Sequence, residues 1–196
     1  MNNNESNKEG EFFVRGAKTY LDVDDAMAEF RRQVQDQCTK VVSGRLDEIM
    51  RAAEMDWTPN HLKDYNERSP DRLYLGKQVW VENFGGLYFC LTLSRENDRA
   101  VYGALVYLYR QRKSLAVHLW ASLSRVASAT AYVRGNNLFF LRHLSEEKLQ
   151  DFREYLNLAI DDFVAFIRDS GGLKRHLVQE SQLSEPGSGP GGTAQP

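Results

Sequence analysis

From Tyr74 onward the apolar residues stop recurring every three or four positions and begin to alternate or run unbroken. No other feature limits the fold of this chain as strongly. Steps of three and four place side chains on one face of a helix, whereas steps of two place them on one face of a strand. "YLGKQVWVEN", "GLYFCLTLSR" and "AVYGALVYLYR" are rich in Val, Leu, Tyr, Phe and Trp, which suit a pleated, half-buried surface. Asn83 to Gly86 and Arg95 to Arg99 ("RENDR") supply turn formers between them. The pattern predicts a three-stranded antiparallel meander. Its third strand, Ala100 to Arg110, is apolar on both sides and is expected to be central or covered on both faces.

Before the meander, Met27, Phe30, Val34, Cys38, Val41, Ile49 and Ala53 form an amphipathic stripe. It predicts a long helix from about 23 to 54, with a bend at Ser43-Gly44. Asp22, Asp24 and Asp25 sit where they would cap its start and meet the positive end of its dipole. "DWTPNHLKDYNERSPDR" contains two prolines and many turn formers and reads as a connection.

After the meander, residues 111–126 fit both a helical and an alternating period. Their Ala, Leu and Arg content favours a short middle helix. "ATAYVRGNNLFFLRHL" reads as two strands around a tight turn at Gly135-Asn136-Asn137. A last helix is expected to start at Ser145, with Glu146 and Glu147 in its first turn. Its apolar face is Leu149, Phe152, Leu156, Ala159, Ile160, Phe163 and Ile167, and Gly171-Gly172 ends it.

The expected class is α+β: a five-stranded antiparallel sheet packed by a long N-terminal helix, a short middle helix and a long C-terminal helix. Residues 11–178 form one domain in this reading. The polar, Asn-rich residues 1–10 are expected to be disordered, and residues 179–196, rich in Gly, Pro and Ser, to be a flexible tail. The order of elements between Asp22 and Gly172 resembles the type III secretion chaperone fold and related small bacterial α+β domains. That resemblance implies a bacterial protein-binding role and carries no residue motif with it.

Motifs for chemistry are sparse. None of His61, His118, His143 and His176 lies three or four residues from another His or from a Cys, and there is no CxxC. No metal site and no cofactor is expected. Cys38 and Cys90 fall among apolar neighbours, as packing residues do. Neither GxSxG nor GxxxxGK[ST] occurs. Asp24-Asp25 and Asp161-Asp162 are adjacent pairs, which point about 100° apart on a helix and do not face each other. These absences argue against an enzyme, although a site assembled from scattered residues would leave no motif. The N-terminus lacks a secretory pattern, and no apolar run approaches a membrane span, so the expected location is cytoplasmic.

The charge distribution is uneven. Arg99 to Ser145 holds seven basic residues and no Asp or Glu, while the net charge of the 196-residue chain is -2. Internal pairing with acids on the helices would account for this imbalance. So would a basic, aromatic binding surface around residues 99–142, where Tyr107, Tyr109, Trp120 and Tyr132 lie, and the expected contact residues are Tyr107, Tyr109, Arg110, Arg112, Lys113, Trp120, Arg125 and Arg134. Arg and aromatic residues are enriched at protein–protein hot spots. The leading expectation is therefore a non-enzymatic protein-binding module, of adaptor, secretion-chaperone-like or immunity type, with an acidic protein partner. Nucleic acid on the same face is the alternative, disfavoured by the acidic overall balance. Exposed apolar positions on the first helix would also suit a homodimer.

Overall fold

The computed structural model describes residues 3–54, 62–70, 72–81, 85–96, 99–110, 131–134 and 137–171. Side chains are described from Arg15 onward, apart from those at 81, 95–96, 110 and 133–134. The expected middle helix within 111–126 and the expected tail from 179 lie outside the described residues.

The class is α+β. Helix α1 spans Asn3–Ala53, followed by strands β1 (Leu62–Ser69), β2 (Arg72–Val81), β3 (Gly85–Glu96), β4 (Arg99–Arg110), β5 (Ala131–Arg134) and β6 (Asn137–Leu144). A short 3₁₀ helix, Glu146–Asp151, leads into α2, Phe152–Asp169. The six strands form one sheet in the order β1-β2-β3-β4-β6-β5, with every adjacent pair antiparallel. The first four strands are a meander. β6 then inserts between β4 and β5, which makes β4 internal. Ala104 to Leu108 are all buried, as the two-sided apolar pattern requires.

Three expectations need correction. The sheet has six strands rather than five, because the segment read as a connection contains β1. β1 is an edge strand whose residues are mostly exposed, so burial leaves little trace in its sequence. Backbone pairing to β2 and the Lys77–Asp64 ion pair hold it. Charged edges of this kind discourage unwanted pairing with other strands.

The first helix begins at Asn3 rather than near residue 23 and runs unbroken through Ser43-Gly44. Residues 3–10 are therefore helical in backbone, and Asp22, Asp24 and Asp25 lie on its exposed surface rather than at its cap. Lastly, the turn after Ser145 is 3₁₀. Ser145 makes no side-chain cap bond, and its carbonyl accepts from the Lys148 N–H at 3.0 Å. Gly171, at φ 80°, follows the end of α2 in a conformation that only glycine adopts without cost.

Both helices pack on one face of the sheet. Val34, Cys38, Val42, Leu46, Ile49 and Ala53 of α1, and Leu156, Ile160, Phe163 and Ile167 of α2, meet Leu75, Val79, Phe89, Leu91, Val106, Leu108 and Phe140. Phe140 sits edge-on to Phe163, with ring centroids 5.5 Å apart. Arg45 ties α1 to α2 by an ion pair to Asp161 at 2.7 Å, and it also pairs with Glu48 on its own helix at 2.7 Å. The Arg142 guanidinium on β6 grips Asp162 on α2 with two bonds of 2.7 Å. Part of the basic stretch is thus matched internally. No helix among the described residues is long and apolar enough to cross a membrane.

Candidate functional site

The face of the sheet turned away from the helices is set by strand alternation. In each strand the residues between the core positions point there, and the register gathers them into rows across the strands. One row is Gln78, Tyr88, Tyr107, Phe139 and Tyr132. A second is Tyr65, Gly76, Cys90, Leu105 and Leu141, and a third is Trp80, Gly86, Tyr109 and Asn137.

Rings fill the middle of this face. Tyr88 and Tyr107 stack with centroids 4.3 Å apart, Tyr107 and Phe139 at 5.3 Å, and Phe139 and Tyr132 at 4.9 Å. Tyr65, on the edge strand, brings its ring to 4.6 Å from Tyr88 on β3. Such contacts add to the area term wherever rings stack or meet edge to face. A Cβ on Gly76, opposite Tyr65, would stand 1.9 Å from the Phe89 carbonyl oxygen. A Cβ on Gly86 would fall within the Tyr88 ring, at 2.4 Å. Glycine at these two positions therefore lets the strands and rings close up.

The hydroxyls of the row are ordered. Tyr107 donates to the Tyr65 hydroxyl at 2.6 Å, and Tyr65 donates to the Glu67 carboxylate. Burial, reinforced by the bond each hydroxyl donates, raises the pKa of both phenols far above the ordinary range, and the bond Tyr65 accepts from Tyr107 opposes this only in part. Tyr88 is raised too, chiefly by burial. All three stay protonated near neutrality and act as hydrogen-bonding packing groups. Burial likewise pushes the Cys38 thiol up to about 12 and the Cys90 thiol well above its usual value. Neither is a nucleophile in this setting.

Three large aromatics on the described strands are exposed: Trp80 at 47%, Tyr132 at 41% and Tyr109 at 37%. All three lie on the outer face. Beside Tyr132 is a hollow of about 50 Å³ lined by Arg72, Tyr74, Thr92, Ser94, Leu141 and His143, among others. Gly103, between Thr92 and His143 in register, adds no side chain there. The hollow is well below the roughly 300 Å³ of a small-molecule site, but it is large enough for a side chain's end or a few waters. Among the described side chains, the charged ones at outer-face positions are Lys63, Arg72 and Arg99 against Glu67, whose carboxylate already accepts from Tyr65; Glu96 and Arg134 share the face by register. Among the described residues no group of three His, Cys, Asp or Glu could hold a metal ion.

The expected contact residues are dispersed. Tyr109 is exposed on this face, but Tyr107 is buried within the ring row and supports its neighbours. Arg110 ends β4 and Arg134 ends β5, with side chains outside the description. Arg112, Lys113, Trp120 and Arg125 lie outside the described residues. Tyr132, one of the aromatics of the basic stretch, is exposed on this face, whereas Trp80 is not among the expected contacts. Trp80 stands far from the basic stretch in sequence, and only the register, with Gly86 between it and Tyr109, places it on the same face. Compared with models of known families, with curated proteins and with solved structures, the chain has no match.

Proposed function

We propose that the chain is a non-enzymatic protein-binding module that docks an acidic protein partner on the outer face of its sheet. The observation that carries this reading is the placement of Trp80, Tyr109 and Tyr132. They are exposed, they share the face opposite the helices, and they stand on or beside a layer of buried rings. Trp and Tyr supply large contact area at small entropic cost and dominate protein–protein hot spots. Tyr132, already stacked on Phe139, loses little further freedom on binding.

Charge gives the partner its sign. By register, Lys63, Arg72, Arg99 and Arg134 share this face with Glu67 and Glu96, a basic excess although the whole chain is at -2. The face therefore attracts an acidic surface, and the rest of the molecule repels an extended polyanion. An adaptor, secretion-chaperone-like or immunity role in a bacterial cytoplasm is the form of binding module we propose.

The test compares the wild-type chain with Trp80→Ala/Tyr109→Ala/Tyr132→Ala as bait in lysate from the cells that make it, with nuclease present. A stoichiometric protein captured by the first and lost by the second, at an unchanged thermal midpoint, supports the reading. Capture of nucleic acid that disappears with salt or nuclease would replace it with phosphate binding.

A further inference from the structure

The hollow beside Tyr132 has an apolar base and a rim of hydrogen-bonding groups. Gly103 on β4 stands between Thr92 on β3 and His143 on β6, so the central strand puts no side chain between them. Two strand spacings set those two residues about 10 Å apart. Leu141 lays a methyl across the gap, 2.5 Å from where a Cβ on Gly103 would stand, and Leu105 lies opposite Leu141 in the next row.

The rim groups have no bonds of their own. Thr92, Ser94 and His143 line the hollow, and among the described residues their side chains make no hydrogen bond. Thr92 and Ser94 are half-buried, and a hydroxyl partly withdrawn from water gains more from a partner than an exposed one does. Arg72, the register partner of Ser94, also lines the hollow, and its Nη1 donates to the Tyr74 hydroxyl at 3.4 Å. A guanidinium keeps its charge whatever it bonds. No Asp or Glu among the described residues lines the hollow. The Glu67 carboxylate accepts from Tyr65, and Arg99 stands opposite Glu96 in register.

This lining selects the occupant. Its size suits the end of one side chain rather than a small molecule, which needs roughly 300 Å³. Two hydroxyls and an imidazole beside a fixed cation suit an acceptor that carries negative charge. A carboxylate offers two oxygens, each able to accept more than one bond, and bonds to an ionised acceptor are the short, strong ones. A phosphoryl group is held by clustered arginines, and Arg72 is the single guanidinium among the described lining residues.

We infer that the hollow is the anchor of the docking face: it takes the carboxylate of one Asp or Glu side chain of the partner. The Thr92 and Ser94 hydroxyls and the His143 ring hold it in the field of Arg72, and its last methylene packs on Leu105 and Leu141. This anchor rests on the docking reading and adds the place and the group by which the acidic partner is recognised. Tyr132, exposed and lining the same hollow, joins the anchor to the aromatic surface.

The probe is capped glutamate, N-acetyl-glutamate N-methylamide, titrated into the isotope-labelled full chain at constant ionic strength. Saturable amide shifts at Thr92, Ser94, Gly103 and His143 are expected, with Kd on the order of 10 mM. Capped glutamine, its neutral isostere, binds at least about tenfold more weakly. Thr92→Val/Ser94→Ala removes both hydroxyls with little change of volume, and the near-ultraviolet circular dichroism of the sheet tyrosines stays as in wild type. It weakens capped glutamate, and the protein captured on the wild-type chain, by at least about tenfold each. His143→Ala, at an exposed position, weakens both in the same direction. Absence of saturation up to about 100 mM capped glutamate overturns the anchor, as does glutamine binding equally well or inorganic phosphate binding more tightly. If Thr92→Val/Ser94→Ala leaves the captured protein's affinity unchanged while Trp80→Ala/Tyr109→Ala lowers it, the docking face stands and the anchor falls. The opposite pattern keeps the anchor and removes Trp80 and Tyr109 from the interface.

Discussion

Tyr88 and Tyr107 lie directly opposite each other on β3 and β4 and stack with ring planes only 3° from parallel. Tyr88 in turn fills the space over Gly86, between Trp80 and Tyr109 in register. The buried rings and the exposed ones thus belong to a single layer. The helix side of the sheet holds the fold, and the ring layer makes the other side a firm platform.

The hydroxyl chain separates ring packing from hydrogen bonding. Tyr107→Phe removes only the donor to Tyr65 and costs about 1 kcal/mol. Tyr107→Ala also removes the ring between Tyr88 and Phe139 and costs about 3–5 kcal/mol. Urea unfolding of both variants gives the two values. Equal losses would show that the ring contributes nothing of its own.

Arg142 and Asp162 are a two-bond ion pair at the junction of β6 and α2, with both side chains largely shielded from water. A double-mutant cycle with Arg142→Ala and Asp162→Ala should give a coupling of about 1–2 kcal/mol. A coupling near zero would place the pair with ordinary surface salt bridges.

The thiols and phenols predict alkaline lability. Their folded pKa values are raised, from 9.0 to about 12 for Cys38, chiefly by burial. Stability from Cys38 is complete below its unfolded value and falls as pH climbs from about 9 towards 12, because the unfolded chain loses the proton first. Cys90, Tyr65 and Tyr107 act in the same direction. Thermal midpoints should drop steadily above pH 9, and neither native thiol should react with an aromatic disulfide reagent at pH 8. Rapid labelling of the native chain would contradict the burial described.

Two glycines predict opposite signs. Gly44 lies on the exposed side of α1 with nothing within 4 Å of an added Cβ, so Gly44→Ala should stabilise the chain by about 0.5–1 kcal/mol. At Gly76 the added carbon meets backbone, the Phe89 carbonyl oxygen, so Gly76→Ala should destabilise it by at least about 2 kcal/mol. Thermal melts distinguish the two directly.

Period and burial decide what the sequence reveals of this fold. β2, β3, β4 and β6 line the core and carry its pattern, so the meander and the β5-β6 hairpin are legible from their residues. β1 is not, because an edge strand needs backbone pairing more than apolar side chains. The start of α1 is misread because Asp22, Asp24 and Asp25 have the chemistry of a cap while lying on an exposed helical surface. The outer face is legible only in part. Tyr109 and Tyr132 can be named from the sequence as aromatics of the basic stretch, but Trp80 and the ring row depend on register across five strands. Some of the basic stretch proves to be internal pairing, as Arg142 shows.

The most direct test of the docking surface is the affinity of the captured partner for the wild type and for Trp80→Ala/Tyr109→Ala/Tyr132→Ala, measured by titration calorimetry. The surface proposed here predicts a loss of at least about 100-fold, since hot-spot aromatics cost 2 kcal/mol or more each when truncated. Binding unchanged in a variant that keeps its thermal midpoint would contradict it and place the contact elsewhere on the chain.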